Sequence, residues 1–362
     1  QLNEDLGNLV DVGKAVLGSP YTLPLYARNL INRIGREVYR IQEYSGRAPQ
    51  VYMDAWEYGS IRLKISFGLY DAQANSSWSL QDGESVDPFV FTEGNAKAKY
   101  FNERVTFEVP LSITEVMIKQ SFTSAEEMNA FVSGMFSYIQ NSMTIATDEL
   151  IMKTINNFTA ETIYDEYGAN DVSDTSHVKA INLYYLFKQQ YPTSDLTADN
   201  CMNDAEFIRF AAFTMDVVKE RLKIMSKTFN IEEEARFTTS EDLRVVCLAD
   251  FWSAAKVFLQ SDTFHNEYTA LPKADTVAFW QSSGTTWDEV SSINVTTTEG
   301  HTVEQDGIVA VMFDRNALGV SCMNKRTTTQ YNGRGEYTNY WFKQDAAYWN
   351  DFSENFVVFL VA

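Results

Sequence analysis

Apolar side chains recur every three or four residues along one stretch of the chain, Phe122–Phe158. This spacing places them on one face of an α-helix, so it predicts a helix over 124–158. Overlapping Ser/Thr-x-x-Glu patterns at Thr123 and Ser124 are typical of a capped helix start. Polar residues interrupt the apolar surface too often for a membrane span. We predict that the core-facing side of this helix consists of Met128, Phe131, Met135, Ile139, Met143 and Leu150.

Strict alternation replaces helical spacing between Val51 and Val109. Apolar and polar residues alternate over 61–67 and again over 104–109, which predicts two strands, each with one polar face. We predict that these strands pair as a hairpin and that the long polar segment between them is its loop. Such loops are usually functional, and a two-stranded hairpin is only marginally stable alone. We therefore expect a contact outside the subunit, with Trp78 as either its anchor or a local packing residue.

Helical patterns and short apolar runs alternate through the rest of the chain, which indicates an α/β region. Val178 to Phe187 predicts one helix, Asp204 caps a second, and Leu243–Ala249 is a buried-strand candidate. The last apolar run, Asn355–Val361, is apolar on both faces, so we predict a strand that is central in its sheet or covered.

Charge and composition then narrow the function classes. The 362 residues carry a formal net charge of −20, which argues against a dedicated nucleic-acid binder. An acidic surface can nevertheless enclose DNA, because it does not trap phosphate. One basic row, Arg33, Arg36 and Arg40, lies on a predicted N-terminal helix. It is either a contact with an acidic neighbour or nucleic acid, or a solvated helix face.

Motifs for catalysis or cofactor binding are missing from the sequence. His177, His265 and His301 have no partners at metal-ligand spacing, and no phosphate-loop, nucleophile-elbow or CxxC pattern occurs. The cysteines, Cys201, Cys247 and Cys322, have no short spacing and fit a reducing, cytoplasmic setting. We therefore expect no enzymatic activity, no cofactor, no metal and no membrane partner.

Several longer phrases carry a family resemblance: FTSAEEMNAFVSGMFSYI, LRVVCLADFWSAAKVFLQSDTFH, IVAVMFDRNALGV and WFKQDAAYWNDFSENFVVFLVA. With the order of the predicted parts, they resemble major capsid proteins of tailed bacteriophages, most of all those of short-tailed, podovirus-type phages. The resemblance implies an α+β fold of the Hong Kong 97 type. Its parts would be an N-terminal arm (1–48), an extended β-hairpin loop (49–115), a peripheral domain (116–175 and 320–362) with a spine helix over 124–158, and an axial α/β domain (176–319).

The resemblance also implies a function and partners. The chain would assemble with itself, as pentamers and hexamers, into an icosahedral shell that encloses the phage genome. Scaffolding and portal proteins and non-specifically held double-stranded DNA would be its other partners. The virion capsid would be its location, after assembly in the bacterial cytoplasm. Candidate assembly contacts are Arg33, Arg36, Arg40, Trp78, Lys97 and Lys99.

Some relatives of this kind cross-link a loop lysine to a neighbour's asparagine. Lys97 or Lys99 with Asn350 or Asn355 would supply such a pair, which we interpret as coincidence in a polar loop. Two other functions compete with the phage shell. One is an encapsulin-like compartment around a cargo enzyme, and the other is a secreted carbohydrate-active enzyme, suggested by the acidic, aromatic-rich composition.

Overall fold

A computed structural model of the chain describes residues 42–53, 61–70, 72–114, 125–168, 171–260, 274–297 and 300–362. The predicted basic row of Arg33, Arg36 and Arg40 lies outside the described residues, and so do His265 and the two candidate capping residues of the long helix. The chain forms two compact units. Within the described residues, the first unit contains 42–46, 107–114, 125–146 and 325–344, and the second contains the described parts of 47–106, 147–324 and 345–362.

Helices and strands alternate along most of the described chain. The helices are α1 (Ala125–Tyr167), α2 (Leu183–Gln190), α3 (Ala205–Leu222), α4 (Ala249–Gln260) and α5 (Trp287–Ser291). The strands are β1 (Arg62–Phe67), β2 (Ala96–Phe101), β3 (Arg104–Thr114), β4 (Ala180–Asn182), β5 (Leu243–Leu248), β6 (Asp275–Val277), β7 (Ile293–Thr296), β8 (Thr302–Gln305), β9 (Ile308–Asp314), β10 (Leu318–Asn332), β11 (Tyr337–Asn350) and β12 (Phe356–Leu360). Short 3₁₀ turns occur at Ser76–Ser79, Val172–Asp174 and Cys201–Asn203.

A five-stranded mixed sheet forms the centre of the second unit, in the order β4-β12-β9-β5-β6. Strand β12 runs parallel to β4 and antiparallel to β9, and both β9 and β12 are buried along their whole lengths. The prediction of a central, covered strand near the end of the chain is therefore confirmed. Strand β5 also matches its prediction, and its Cys247 is a buried thiol whose pKa burial raises to about 12.

The two faces of β12 are covered by different helices, which explains its uniformly apolar sequence. Phe356 stacks on Phe158 of α1 with ring centroids 4.1 Å apart. Val357 and Phe359, on the alternate face, belong to the buried cluster that also contains the apolar sides of α2, α3 and α4. Asp204 caps α3 as predicted, since its carboxylate accepts hydrogen bonds from two backbone amides of the first turn.

The long helix α1 extends to Tyr167, beyond the predicted end at Phe158. In this last part Thr159 and Thr162 are buried and donate their hydroxyls to backbone carbonyls four residues earlier in the helix. The helix ends at Gly168, whose φ of 60° is the left-handed conformation that glycine favours and whose amide donates to the Tyr164 carbonyl at 2.7 Å. At 1.5 Å per residue the helix is roughly 65 Å long.

Two predictions about local structure are wrong. The helix expected from Val178 begins only at Leu183, because residues 180–182 form strand β4 beside β12. The strand over 61–67 pairs with β2 and not with β3, which instead lies in a three-stranded sheet of order β10-β11-β3. Strand β2 has the sequence AKAKYF, in which alanine alternates with lysine. Its first four residues therefore lack the large apolar side chains that indicate a strand, and they resemble loop sequence.

Candidate assembly surfaces

Strands β1 and β2 form an antiparallel ribbon whose two faces differ in chemistry. The register pairs Arg62 with Phe101, Lys64 with Lys99, and Ser66 with Lys97. Because neighbouring residues of a strand point to opposite faces, these six side chains share one face, which we call the inner face. The outer face carries Leu63, Ile65, Phe67, Ala96, Ala98 and Tyr100.

The inner face lies against acidic residues of the same unit. Lys64 forms ion pairs with Asp351 and with Glu354, the latter at 2.7 Å, and Lys99 pairs with Asp351 at 2.8 Å. Burial alone would raise the pKa of Asp351, but the charge of Lys64 and the hydrogen bonds from Lys64, Lys99 and Ser353 lower it to about 2. This carboxylate is fully buried and accepts from two ribbon lysines, so it is the centre of the contact.

Further ion pairs continue the contact toward the loop end of the ribbon. Lys97 pairs with Glu234 and Lys99 pairs with Glu232. The hydrogen bond from Lys97 lowers the pKa of Glu234. Burial disfavours the charged form of Lys99, but hydrogen bonds to Asp351 and Glu232 outweigh this, and the pKa of Lys99 is raised. The two candidate lysines from the sequence therefore lie on a strand and contact carboxylates of their own subunit.

A cation–π stack holds the base of the ribbon, next to the start of β3. The guanidinium carbon of Arg62 lies 3.8 Å from the ring centroid of Trp349 and 4.7 Å from that of Tyr52. Those two rings contact each other edge to face, with centroids 5.7 Å apart. The Tyr52 carbonyl in turn accepts from the Val320 amide at 3.1 Å. Arg62 thus connects the ribbon to the rings of Tyr52 and Trp349. The backbone of Tyr52 is itself held by its hydrogen bond to Val320.

The outer face of the ribbon is exposed although it is apolar. Leu63, Ile65, Phe67 and Tyr100 expose 49%, 58%, 73% and 68% of their surface in the single chain. An ordinary strand pair buries its apolar side and exposes its charged side. The ribbon does the reverse, and its outer face is therefore a candidate surface for contact with another molecule.

The loop between β1 and β2 is likewise exposed and partly aromatic. Trp78 lies in the 3₁₀ turn at Ser76–Ser79 and is 90% exposed, and Phe89 and Phe91 are similarly exposed. Trp78 therefore makes little contact with the described part of the subunit. The described loop residues 72–95 include acidic but no basic side chains.

The predicted core face of α1 is divided between two environments. Met143 and Leu150 are buried, while Phe131, Met135 and Ile139 are half-buried in the single chain. Met128 lies within the helix, but its side chain is outside what the structure describes. The most continuous burial of α1 lies further on, between Thr154 and Tyr167, beyond Leu150, the last residue of the predicted core face.

The described histidines occupy structural positions near the end of α1. His177 Nδ1 lies 3.3 Å from the Glu166 carboxylate, and His301 stacks on Tyr164 with centroids 4.1 Å apart. Among the described residues, no group of three or more His, Cys, Asp or Glu side chains could hold a metal ion. Asn355, one of the candidate cross-linking residues, is buried and donates to the Thr238 hydroxyl. None of the described helices is long and apolar enough to cross a membrane.

Known structures share the fold of this chain. The capsid structure of Staphylococcus phage Andhra matches with a TM-score of 0.57 at 10% identity, covering 90% of this chain and 87% of that one. A chain from the structure of the head fibre and inner core protein gp22 of native bacteriophage P68 matches with a TM-score of 0.56 at 7% identity, covering 90% and 88%. No curated protein matches the sequence significantly.

The fold is therefore the mixed α+β fold of phage capsid proteins, the Hong Kong 97 type. The sequence model of one family within this class, the Phi29-like phage major capsid proteins, matches residues 2–360. The chain belongs to this family. It is a structural protein that forms the capsid shell of a phage virion, and the encapsulin-like and carbohydrate-active alternatives have no support.

Proposed function

We propose that the chain builds a closed icosahedral shell of pentamers and hexamers in which the ribbon of each subunit lies on a neighbouring subunit. The exposed apolar outer face of the ribbon supports this most directly. Fully burying a large apolar side chain stabilises by about 1.5–3 kcal/mol. Covering the exposed Leu63, Ile65, Phe67 and Tyr100 in each subunit would therefore contribute substantially to association.

The predicted division of the chain is part of this proposal. Residues 1–48 would be an arm, 49–115 the extended loop, 116–175 with 320–362 the peripheral domain, and 176–319 the axial domain that meets its copies around the shell's symmetry axes. Helix α1 would be the spine of the peripheral domain. Arg33, Arg36 and Arg40 would contact an acidic neighbour or DNA from the arm.

Other partners follow from the shell. The interior would hold double-stranded DNA without sequence preference, and the net charge of −20 would limit its retention on the wall. Scaffolding and portal proteins would guide assembly in the bacterial cytoplasm. The cluster of carboxylates around Lys64 and Lys99 serves ribbon placement in this scheme and has no catalytic task.

Electron microscopy of the full chain, co-expressed with its scaffold, tests the proposal. Wild type should give closed particles. Ile65→Asp places a charge on the outer face and should leave folded subunits that do not close into shells. Thr92→Asp adds the same charge at an exposed loop position and is the matched control. Normal shells from Ile65→Asp would show that the outer face is not an assembly contact.

A further inference from the structure

The inner face of the ribbon carries positive charges that repel one another. Lys64 and Lys99 are directly opposite each other in the register, and Lys97 follows on the same face. Like charges placed opposite each other destabilise a strand pair. The ribbon therefore depends on negative charge that its own two strands do not supply on this face.

That negative charge comes from two other segments of the chain. Asp351 and Glu354 lie in the turn between β11 and β12, and Glu232 and Glu234 lie in the segment between α3 and β5. Arg236 also reaches Glu354, with its Nε 3.5 Å from the carboxylate. The ribbon is thus attached to the body through charged groups, while its apolar face is turned away.

The ion pairs that attach the ribbon to the body differ in how far their side chains are exposed to solvent. The Asp351 carboxylate is fully buried, whereas the Lys97 side chain is 53% exposed and Glu232 is 38% exposed. Exposed ion pairs contribute little and are screened by salt, while buried ones are costly to break. The pairs therefore weaken from Lys64, near the base, toward Lys97, near the loop. The contact between Arg62 and Trp349 is less sensitive to salt than an ion pair, because the indole ring carries no net charge.

We propose that Lys64, Lys97 and Lys99 with Asp351, Glu354, Glu232 and Glu234 form an electrostatic latch. When the latch is closed, the ribbon lies on its own subunit. When it opens, the ribbon turns about its base at Arg62 with its strand pairing intact. The closed or open state of the latch thereby determines which way the apolar outer face of the ribbon points relative to the body of the subunit. Its use during assembly depends on the shell function proposed above, but its existence in the subunit does not.

Distance measurements between spin labels test the latch in the full-length, unassembled chain. Labels at Ser79→Cys in the loop and Ser240→Cys on the body, both exposed, report the ribbon's position. Cys322→Ser removes the partly exposed native thiol, while the other two cysteines are buried. Raising NaCl from about 0.01 M to about 1 M shortens the screening length from about 30 Å to about 3 Å. We expect the distance distribution to broaden and shift with salt.

Two sets of variants make the test specific. Lys64→Gln with Lys99→Gln should broaden the distribution already at low salt, whereas Lys223→Gln, which removes an exposed ion pair outside the latch, should not. Lys97→Gln alone, at the most exposed of these pairs, should broaden it least. Circular dichroism confirms that each variant is folded.

A narrow, salt-independent distance in both wild type and the double glutamine variant would overturn the latch. This outcome differs from failure of the proposed function, in which wild-type chains form no closed shells whatever the ribbon does. If shells form normally and the ribbon is rigid, the proposed shell function holds and only the latch is disproved.

Discussion

The ribbon and the five-stranded sheet belong to the same unit but are stabilised in opposite ways. Strands β9 and β12 are buried along their whole lengths, and β12 is covered by helices on both faces. Strands β1 and β2 place charged residues toward the body and leave apolar residues exposed. Apolar packing inside a subunit fixes one structure, whereas ion pairs at a partly exposed contact respond to salt and pH. The sheet therefore defines the subunit, and the ribbon remains available for other contacts.

The largest expected effect tests the packed side of this comparison. Phe158→Ala removes a fully buried ring that stacks on Phe356 and contacts Phe352 edge to face. We expect the free energy of unfolding to fall by about 3–5 kcal/mol because of the cavity. Phe89→Ala, at an exposed loop position, should change it by less than about 0.5 kcal/mol. Denaturant unfolding followed by circular dichroism measures both, and similar losses in the two variants would contradict the comparison.

The second effect tests the charged side. The pKa of Asp351 is lowered from 3.8 to about 2 in the folded chain, which corresponds to roughly 2 kcal/mol of stability near neutral pH. Because the folded-state pKa is depressed, this contribution is present above about pH 4 and is lost as the pH falls toward about 2. Asp351→Asn should therefore be less stable than wild type by roughly 2 kcal/mol near pH 7.

The pH dependence distinguishes this charge effect from lost packing. The difference between wild type and Asp351→Asn should shrink as unfolding is measured at successively lower pH. Glu232→Gln, at a more exposed pair, should cost less than about 1 kcal/mol and serves as the control. A constant difference for Asp351→Asn across the acid range would assign its role to shape and not to charge.

The same contrast explains what could be predicted from the sequence. Apolar periodicity located α1 as far as Phe158, and continuous apolar runs located β5 and β12, because their burial depends on patterns within each segment. The pairing of β1 with β2 could not be found in this way, since β2 is held by Glu232, Glu234 and Asp351 from distant parts of the chain. One signal was present: the lysines of AKAKYF alternate with period two, as a strand with one charged face requires.

The end of α1 was missed for a related reason. Thr159 and Thr162 are polar by sequence, yet both are buried and each donates its hydroxyl to a backbone carbonyl of the same helix. Asn156 is buried too, and its amide donates to the Trp280 carbonyl at 2.7 Å, a contact with a remote segment. Periodicity identifies the apolar face of a helix. It does not identify buried polar residues, because their hydrogen-bond partners lie in the backbone of the same helix or in a remote segment.

A third prediction concerns the half-buried part of α1. Met135→Asp places a carboxylate on the predicted core face, where Met135 is half-buried in the single chain. We expect a loss of roughly 1–2 kcal/mol in the free energy of unfolding, because the new charge keeps part of its hydration. Ser133→Asp, at an exposed position of the same helix, controls for charge and helix propensity. Equal unfolding free energies for the two variants would mean that this face is not core.

The smallest expected change in the stability of the subunit is that of a substitution at Trp78. This substitution separates subunit stability from contacts between subunits. Trp78 is 90% exposed, so Trp78→Ser should change the free energy of unfolding by less than about 0.5 kcal/mol. If the loop contacts a neighbouring subunit, the same variant should assemble less well, because a large aromatic side chain contributes more to an interface than most residues do. Sedimentation of assembly reactions measures this, with Ser85→Ala as a control in the same exposed loop. Unchanged assembly would leave the ribbon's outer face, and not its loop, as the apolar contact between subunits.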